Sequence, residues 1–167
     1  EILNANKDQI SELISVLMKK VSDSFTRNKE FLLENREDIY IISNGFKDFV
    51  VPIVTSFGIK PENVFANEFE YDESGKITGF NKKNPLSQNN GKPDTIKRLN
   101  LSGDIYVIGD GYTDYEIKAS GVANKFYAFT ENIHRPSVSS KADHIAPSLD
   151  EILYVNKLNK KFSYPKS

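Results

Sequence analysis

The sequence predicts an α/β fold: a mostly parallel sheet with helices on both faces, plus one β-hairpin. Three observations predict it. Short apolar runs that read as buried strands (DIYIIS at 38–43, DIYVIG at 104–109, KFYAFT at 125–130) alternate with stretches of helical spacing. The segment 68–80 alternates polar and apolar residues around Asp72-Glu73-Ser74-Gly75, which signals a hairpin. The chain has 167 residues, 38% apolar and 27% charged, which suits one globular domain with a sizeable core and a small appendage.

The elements follow in order. Residues 8–21 set Ile10, Leu13, Ile14, Leu17, Met18 and Val21 on one helical stripe. Residues 24–35 continue the helical pattern through Phe25, Phe31, Leu32 and Leu33. The strand 38–43 ends at Ser43, where Asn44-Gly45 supplies a turn. Residues 46–57 read as a helix made irregular by Pro52. NVFANEF, 63–69, is a second strand, and 81–91 is a polar loop rich in turn residues. A helix begins over 93–99, and the strand 104–109 leads through Gly109-Asp110-Gly111 into a helix over 113–120. The strand 125–130, a last strand within 142–148 and a closing helix at 149–155 complete the pattern. The tail from residue 156 is polar and reads as loose.

Composition narrows the function. With 22 basic and 23 acidic residues the net charge is −1, which favours neither nucleic acid nor an acidic membrane as partner. There are no cysteines, so disulfides and thiolate metal sites are excluded. No run of 18 apolar residues exists to form a spanning helix, and no signal peptide is visible, so the expected location is cytoplasmic. The chain opens at Glu1 rather than Met.

In such sheets sites lie beyond the carboxyl ends of the strands, which singles out Ser43, Asp110 and Thr130. Asp110 projects from one of these ends, and Asp114 stands one helical turn on. Paired carboxylates suit Mg²⁺, which takes one or two of them with waters and a phosphate oxygen. Asp114 alone could equally be a residue interacting with its helix dipole. Ser43-Asn44-Gly45 offers a hydroxyl and backbone N–H groups, a small anion cradle; taken alone it also fits a plain helix N-cap with a turn glycine. Lys92 begins a helix after the polar loop, where its ammonium could neutralise a phosphate, although most lysines are solvated surface. Phe46 and Phe49 could shape a pocket but suit a core better, and His134 and His144 read as structural or solvated.

In combination and in this order, the hydroxyl turn, the lysine and the paired aspartates resemble the haloacid dehalogenase superfamily of phosphohydrolases. Ser43 matches its second motif, Lys92 its third, and Asp110 with Asp114 its fourth. SNGF, NVFANEFEYDESGKITGF, GK and GDGYTDYE are similar to stretches of the phosphoserine phosphatases within it, across about residues 36–156. Thr113 stands where many members have Asn, and Asn44 where glycine is frequent. The resemblance implies a Rossmannoid three-layer sandwich, with residues 1–23 a remnant of a helical cap, 24–157 the core and 158–167 a flexible tail. It implies Mg²⁺ held by Asp110 and Asp114, and phosphate bound by Ser43, Asn44, Gly45, Lys92 and Thr113. The substrate implied is a small phosphomonoester, O-phospho-L-serine first, in serine biosynthesis. The alternatives are a sulfur-salvage phosphatase acting on a phosphorylated ketone, and a non-catalytic module that binds phosphate or Mg²⁺.

One family motif is absent. The nucleophile of the superfamily is the first aspartate of an Asp-x-Asp on the first strand, and no two aspartates of this chain stand two positions apart. The expectation is therefore a fragment, inactive by itself, without the nucleophile strand and most of the cap. In the family that strand lies between those ending at Ser43 and Asp110. Its absence implies a partner for them: a separate copy of the missing segment, or a dimer.

Overall fold

The computed structural model describes residue 5 and residues 7–158. In chain order the elements are α1 (Lys7–Met18), α2 (Asp23–Arg27), α3 (Lys29–Glu34), β1 (Ile41–Phe46), α4 (Lys47–Thr55), β2 (Val64–Asn67), β3 (Phe69–Tyr71) and β4 (Ile77–Phe80). They continue with α5 (Gly91–Leu99), β5 (Tyr106–Gly109), α6 (Tyr112–Ala119), β6 (Lys125–Phe129), α7 (Pro136–Ser139), β7 (His144–Ala146) and α8 (Leu149–Val155). The mixed α/β class, mostly parallel with one hairpin, is the one the sequence predicts. The hydrogen-bonded ladders are three: β1-β2 and β5-β6-β7, both parallel, and the antiparallel hairpin β3-β4. Among the described residues β1 pairs with β2 alone and β5 with β6 alone. The chain divides into two compact units, one formed by residues up to Val21 and Leu32–Ser102, the other by Ser22–Phe31 and the chain from Gly103 onward. No helix among the described residues is long and apolar enough to cross a membrane.

In the first unit the expected strand end at Ser43 is corrected. Ile42 pairs with Phe65 and Phe46 with Asn67, so β1 advances four residues while β2 advances two. The surplus is a bulge at residues 43–45, and the strand runs on to Phe46. Within it the Gly45 N–H donates to Ser43 Oγ at 3.0 Å, a side-chain bond that competes with regular pairing. The helix predicted from 46 begins at Lys47 and holds Pro52 inside it. Phe46 stacks on Phe69 with ring centroids 3.8 Å apart, and Phe49 meets the same ring edge-on at 5.9 Å, so both phenylalanines serve packing. NVFANEF is two strands, parted at Glu68.

The hairpin turn is held by the Asp72 carboxylate, which accepts from the Ser74 N–H and the Lys76 N–H, both at 2.9 Å, with Gly75 at φ +81°. Tyr71 at the end of β3 donates its hydroxyl to Asp48 of α4. Burial, then that bond, pushes its phenol up to about 12 from an unfolded value of 10.0. The stability this phenol contributes is complete below about pH 10 and drains away as pH rises to about 12, because only the unfolded chain ionises across that window. Tyr71→Phe is expected to flatten that alkaline decline in urea unfolding. Identical slopes for the two proteins would reject it.

In the second unit the helical pattern 24–35 breaks at Asn28. Its Nδ2 donates to Ser24 O and to Asp150 Oδ1, both at 2.8 Å, and so ties this short segment to α8. Burial works against the Asp150 charge, but hydrogen bonds from Asn28 and Arg27 outweigh it and hold the carboxyl below its ordinary value. Ser24 is fully buried; its hydroxyl donates to Glu131 and accepts from the Leu149 N–H at 3.0 Å. β5 is less buried than its apolar run suggests. It buries Val107, whereas Tyr106 and Ile108 are 45% and 40% exposed. The short helix α7, opened by Pro136, has no counterpart in the predicted elements. Asn156 is not loose, since its Nδ2 donates to Tyr127 Oη at 3.0 Å; the tail from 159, like residues 1–4 and 6, lies outside the described residues.

Candidate functional site

The first unit carries Ser43, Asn44, Gly45 and Lys92. The bulge leaves Ser43 half-buried and Asn44 and Gly45 exposed. Asn67, at the end of β2, donates to Asn44 O at 2.9 Å and fixes the bulge from beneath. Lys92 sits in the first turn of α5, which begins at Gly91 rather than at Pro93. Pro93 costs little there, because first-turn N–H groups have no partner within the helix. Lys92 is only 9% exposed, unlike the solvated lysine it could have been. The helix of Lys92 packs against the strand of Ser43.

The second unit carries Asp110, Thr113 and Asp114. Asp110 directly follows the last residue of β5, as predicted. Asp114 stands in the first turn of α6; its Oδ2 accepts from the Gly111 N–H at 3.1 Å, while its own N–H donates to Gly111 O at 3.2 Å. The helix-start role that the sequence leaves open for Asp114 is therefore real. Its carboxyl also lies over Gly109, where a Cβ would come within 2.2 Å of Asp114 Cγ, so only glycine fits. Thr113 is half-buried in the same turn.

Arg135 was not singled out by the sequence. Its Nη1 lies 3.4 Å from Asp110 Oδ2 and donates to Asp110 O at 3.1 Å. The only local hint is that it precedes Pro136, which keeps it extended before α7. His134 contacts Ser139 Oγ and His144 pairs with Glu151, both structural roles. A cavity of about 300 Å³ in the first unit has Phe65, Leu86 and Leu99 in its wall, with Lys47 and Arg98; none of the predicted site residues lines it.

The acidic donors suit Mg²⁺ in kind. Asp110 and Asp114 offer hard carboxylate oxygens, the type this ion takes, and one or two are its usual protein complement. Among the described residues no group of three or more His, Cys, Asp or Glu side chains gathers into a cage that would hold a metal without further ligands.

No protein-family model matches the chain. It is 30% identical over 157 residues to the chloroplastic phosphoserine phosphatase of Arabidopsis thaliana, covering 92% of this chain and 49% of that protein. It is 30% identical over 126 residues to the 2-hydroxy-3-keto-5-methylthiopentenyl-1-phosphate phosphatase of Bacillus thuringiensis, covering 70% of this chain and 55% of that protein. The chain thus spans about half the length of these curated relatives. The crystal structure of a phosphoserine phosphohydrolase-like protein from Francisella tularensis superposes with a TM-score of 0.76 at 27% identity, covering 90% of this chain and 70% of that one. Sequence and fold agree with the motifs: over nine-tenths of its length the chain is similar to phosphoserine phosphatases, in line with its resemblance to the haloacid dehalogenase superfamily.

Proposed function

We propose that the complete protein hydrolyses a phosphomonoester, O-phospho-L-serine in the first instance, as a cytoplasmic enzyme of serine biosynthesis. The observation that carries this is the likeness to a phosphoserine phosphatase over nine-tenths of the chain, with the hydroxyl, lysine and aspartate motifs in family order. The Ser43 hydroxyl, the N–H groups of Asn44 and Gly45, and Lys92 bind the phosphoryl oxygens, and Thr113 assists. Donors placed in advance stabilise the charge that develops during transfer. Lys92 also favours the ionised form of the attacking carboxylate. Asp110 and Asp114 hold Mg²⁺, which when bound offsets the repulsion between an anionic nucleophile and a phosphate dianion. Arg135 holds Asp110 in place through its backbone oxygen and its carboxylate.

The nucleophile belongs to an Asp-x-Asp segment outside this sequence, so the 167 residues alone are inactive. That segment, or a second subunit, pairs with the strands that have one ladder neighbour. The described residues up to 23 then belong to a helical cap and 24–157 to the core; the tail expected over 158–167 lies, beyond Leu158, outside the described residues.

The Bacillus relative favours a second reading, a phosphatase for a phosphorylated ketone. The test is phosphate release by the complete protein, with Mg²⁺, from a panel of phosphomonoesters. The expected result is a kcat/KM for O-phospho-L-serine at least about tenfold above the rest, a margin of about 1.4 kcal/mol. Preference for a ketose 1-phosphate selects the second reading. No release from any ester rejects both and leaves a module that only binds.

A further inference from the structure

We infer that Asn67 is a positioning residue that sets the Ser43 bulge and the turn before Lys92 in one register; the inference rests on the phosphohydrolase reading. Asn67 ends β2 opposite Phe46 and is 5% exposed. Its Nδ2 makes two donations, to Asn44 O at 2.9 Å and to Leu86 O at 3.1 Å. The first carbonyl belongs to the peptide unit that also carries the Gly45 N–H. Holding that oxygen fixes the plane of the peptide, and therefore the direction in which the N–H points. The second carbonyl lies in the turn on which Gly91 rests: a Cβ at Gly91 would lie 2.0 Å from Pro85 O and 2.9 Å from Leu86 Cα. Lys92 is the next residue, so one planar amide nitrogen tethers both halves of the proposed phosphate cradle in this unit.

The other end of the amide shows what this arrangement costs. Asn67 Oδ1 is buried and has no hydrogen-bond partner among the described residues. A buried acceptor left unpaired is destabilising, and an apolar residue of similar size would carry no such penalty. The rest of β2 is the apolar run Val64, Phe65 and Ala66. Packing therefore does not select an amide here, whereas two donations from one short side chain do. Aspartate lacks the N–H groups, leucine has no polar atom, and glutamine is a methylene too long.

The experiment compares the complete wild-type protein with Asn67→Leu and Asn67→Asp. In Asn67→Leu the thermal midpoint is expected to fall only modestly, because the orphaned oxygen is gone while Asn44 O and Leu86 O lose their donor. Its kcat is expected to fall about 100-fold, the scale of a misplaced catalytic group, and inhibition by inorganic phosphate to weaken in parallel. Asn67→Asp is expected to regain activity as pH falls, because a protonated carboxyl can donate one of the two bonds; this arm decides the matter should the leucine variant not fold. Wild-type turnover and phosphate inhibition in Asn67→Leu, or a flat pH response in Asn67→Asp, would overturn the inference. A wild-type protein that hydrolyses nothing defeats the phosphohydrolase reading instead. The tether is then judged by hydrogen exchange at the Gly45 amide, which either variant accelerates if Asn67 holds that peptide and leaves unchanged if it does not.

Discussion

Asp110→Asn in the complete protein is expected to lower phosphate release by at least about 10²-fold at low Mg²⁺, the scale seen when one electrostatic contact to the reacting group is removed. The substitution keeps the size and shape of the side chain. It also keeps the backbone tether, since Arg135 donates to Asp110 O and not only to the carboxylate. With the side chain half exposed, the fold has little at stake. What disappears is one negative charge at the end of β5, where Mg²⁺ is proposed to bind. Raising Mg²⁺ is expected to recover part of the rate, because weakened affinity yields to mass action. Calorimetric titration with Mg²⁺ gives a second readout, a weaker dissociation constant than in the wild type. Undiminished turnover at low Mg²⁺, or an unaltered constant, would remove Asp110 from the metal site.

Gly91→Ala is expected to destabilise the first unit by about 1–3 kcal/mol or more, the cost of forcing a methyl group into filled space. The obstacles are backbone atoms: Pro85 O at 2.0 Å, Pro85 C at 2.7 Å and Leu86 Cα at 2.9 Å from the added carbon. They cannot easily give way. Asn84 Nδ2 donates to Ala66 O at 2.8 Å, Asn84 Oδ1 accepts from the Leu86 N–H at 3.0 Å, and Asn67 holds Leu86 O. Urea unfolding measures the loss. Gly79→Ala is the control, because its added carbon would meet nothing nearer than Glu70 Oε2 at 3.7 Å; it is expected to stay within about 0.5 kcal/mol of wild type. Equal stability of the two variants would show that the turn is softer than its bonds suggest.

Features encoded by local period were legible in the sequence. The stripe through Ile10, Leu13 and Leu17 became α1, and Asp72 with Gly75 marked the hairpin turn that formed. Features set by distant partners were not. The bulge at residues 43–45 depends on the register with β2, and the break at Asn28 depends on Asp150, which is 122 residues away. The half exposure of β5 reflects what covers it, which an apolar run does not encode. For the proposed site, Ser43, Lys92, Asp110 and Asp114 were singled out through motif order. Arg135 reaches Asp110 across 25 residues, and Asn67 looks like an ordinary strand terminus until its two acceptors are known.

The one-sided pairing of β1 and β5 among the described residues has a practical corollary for anyone handling this polypeptide. A flank of amides and carbonyls without a ladder is a template on which any extended chain can add. At high concentration such flanks are expected to pair with one another, so that oligomeric material competes with the dispersed state. A short strand-forming peptide supplied in excess would occupy the flanks first and keep the preparation clear.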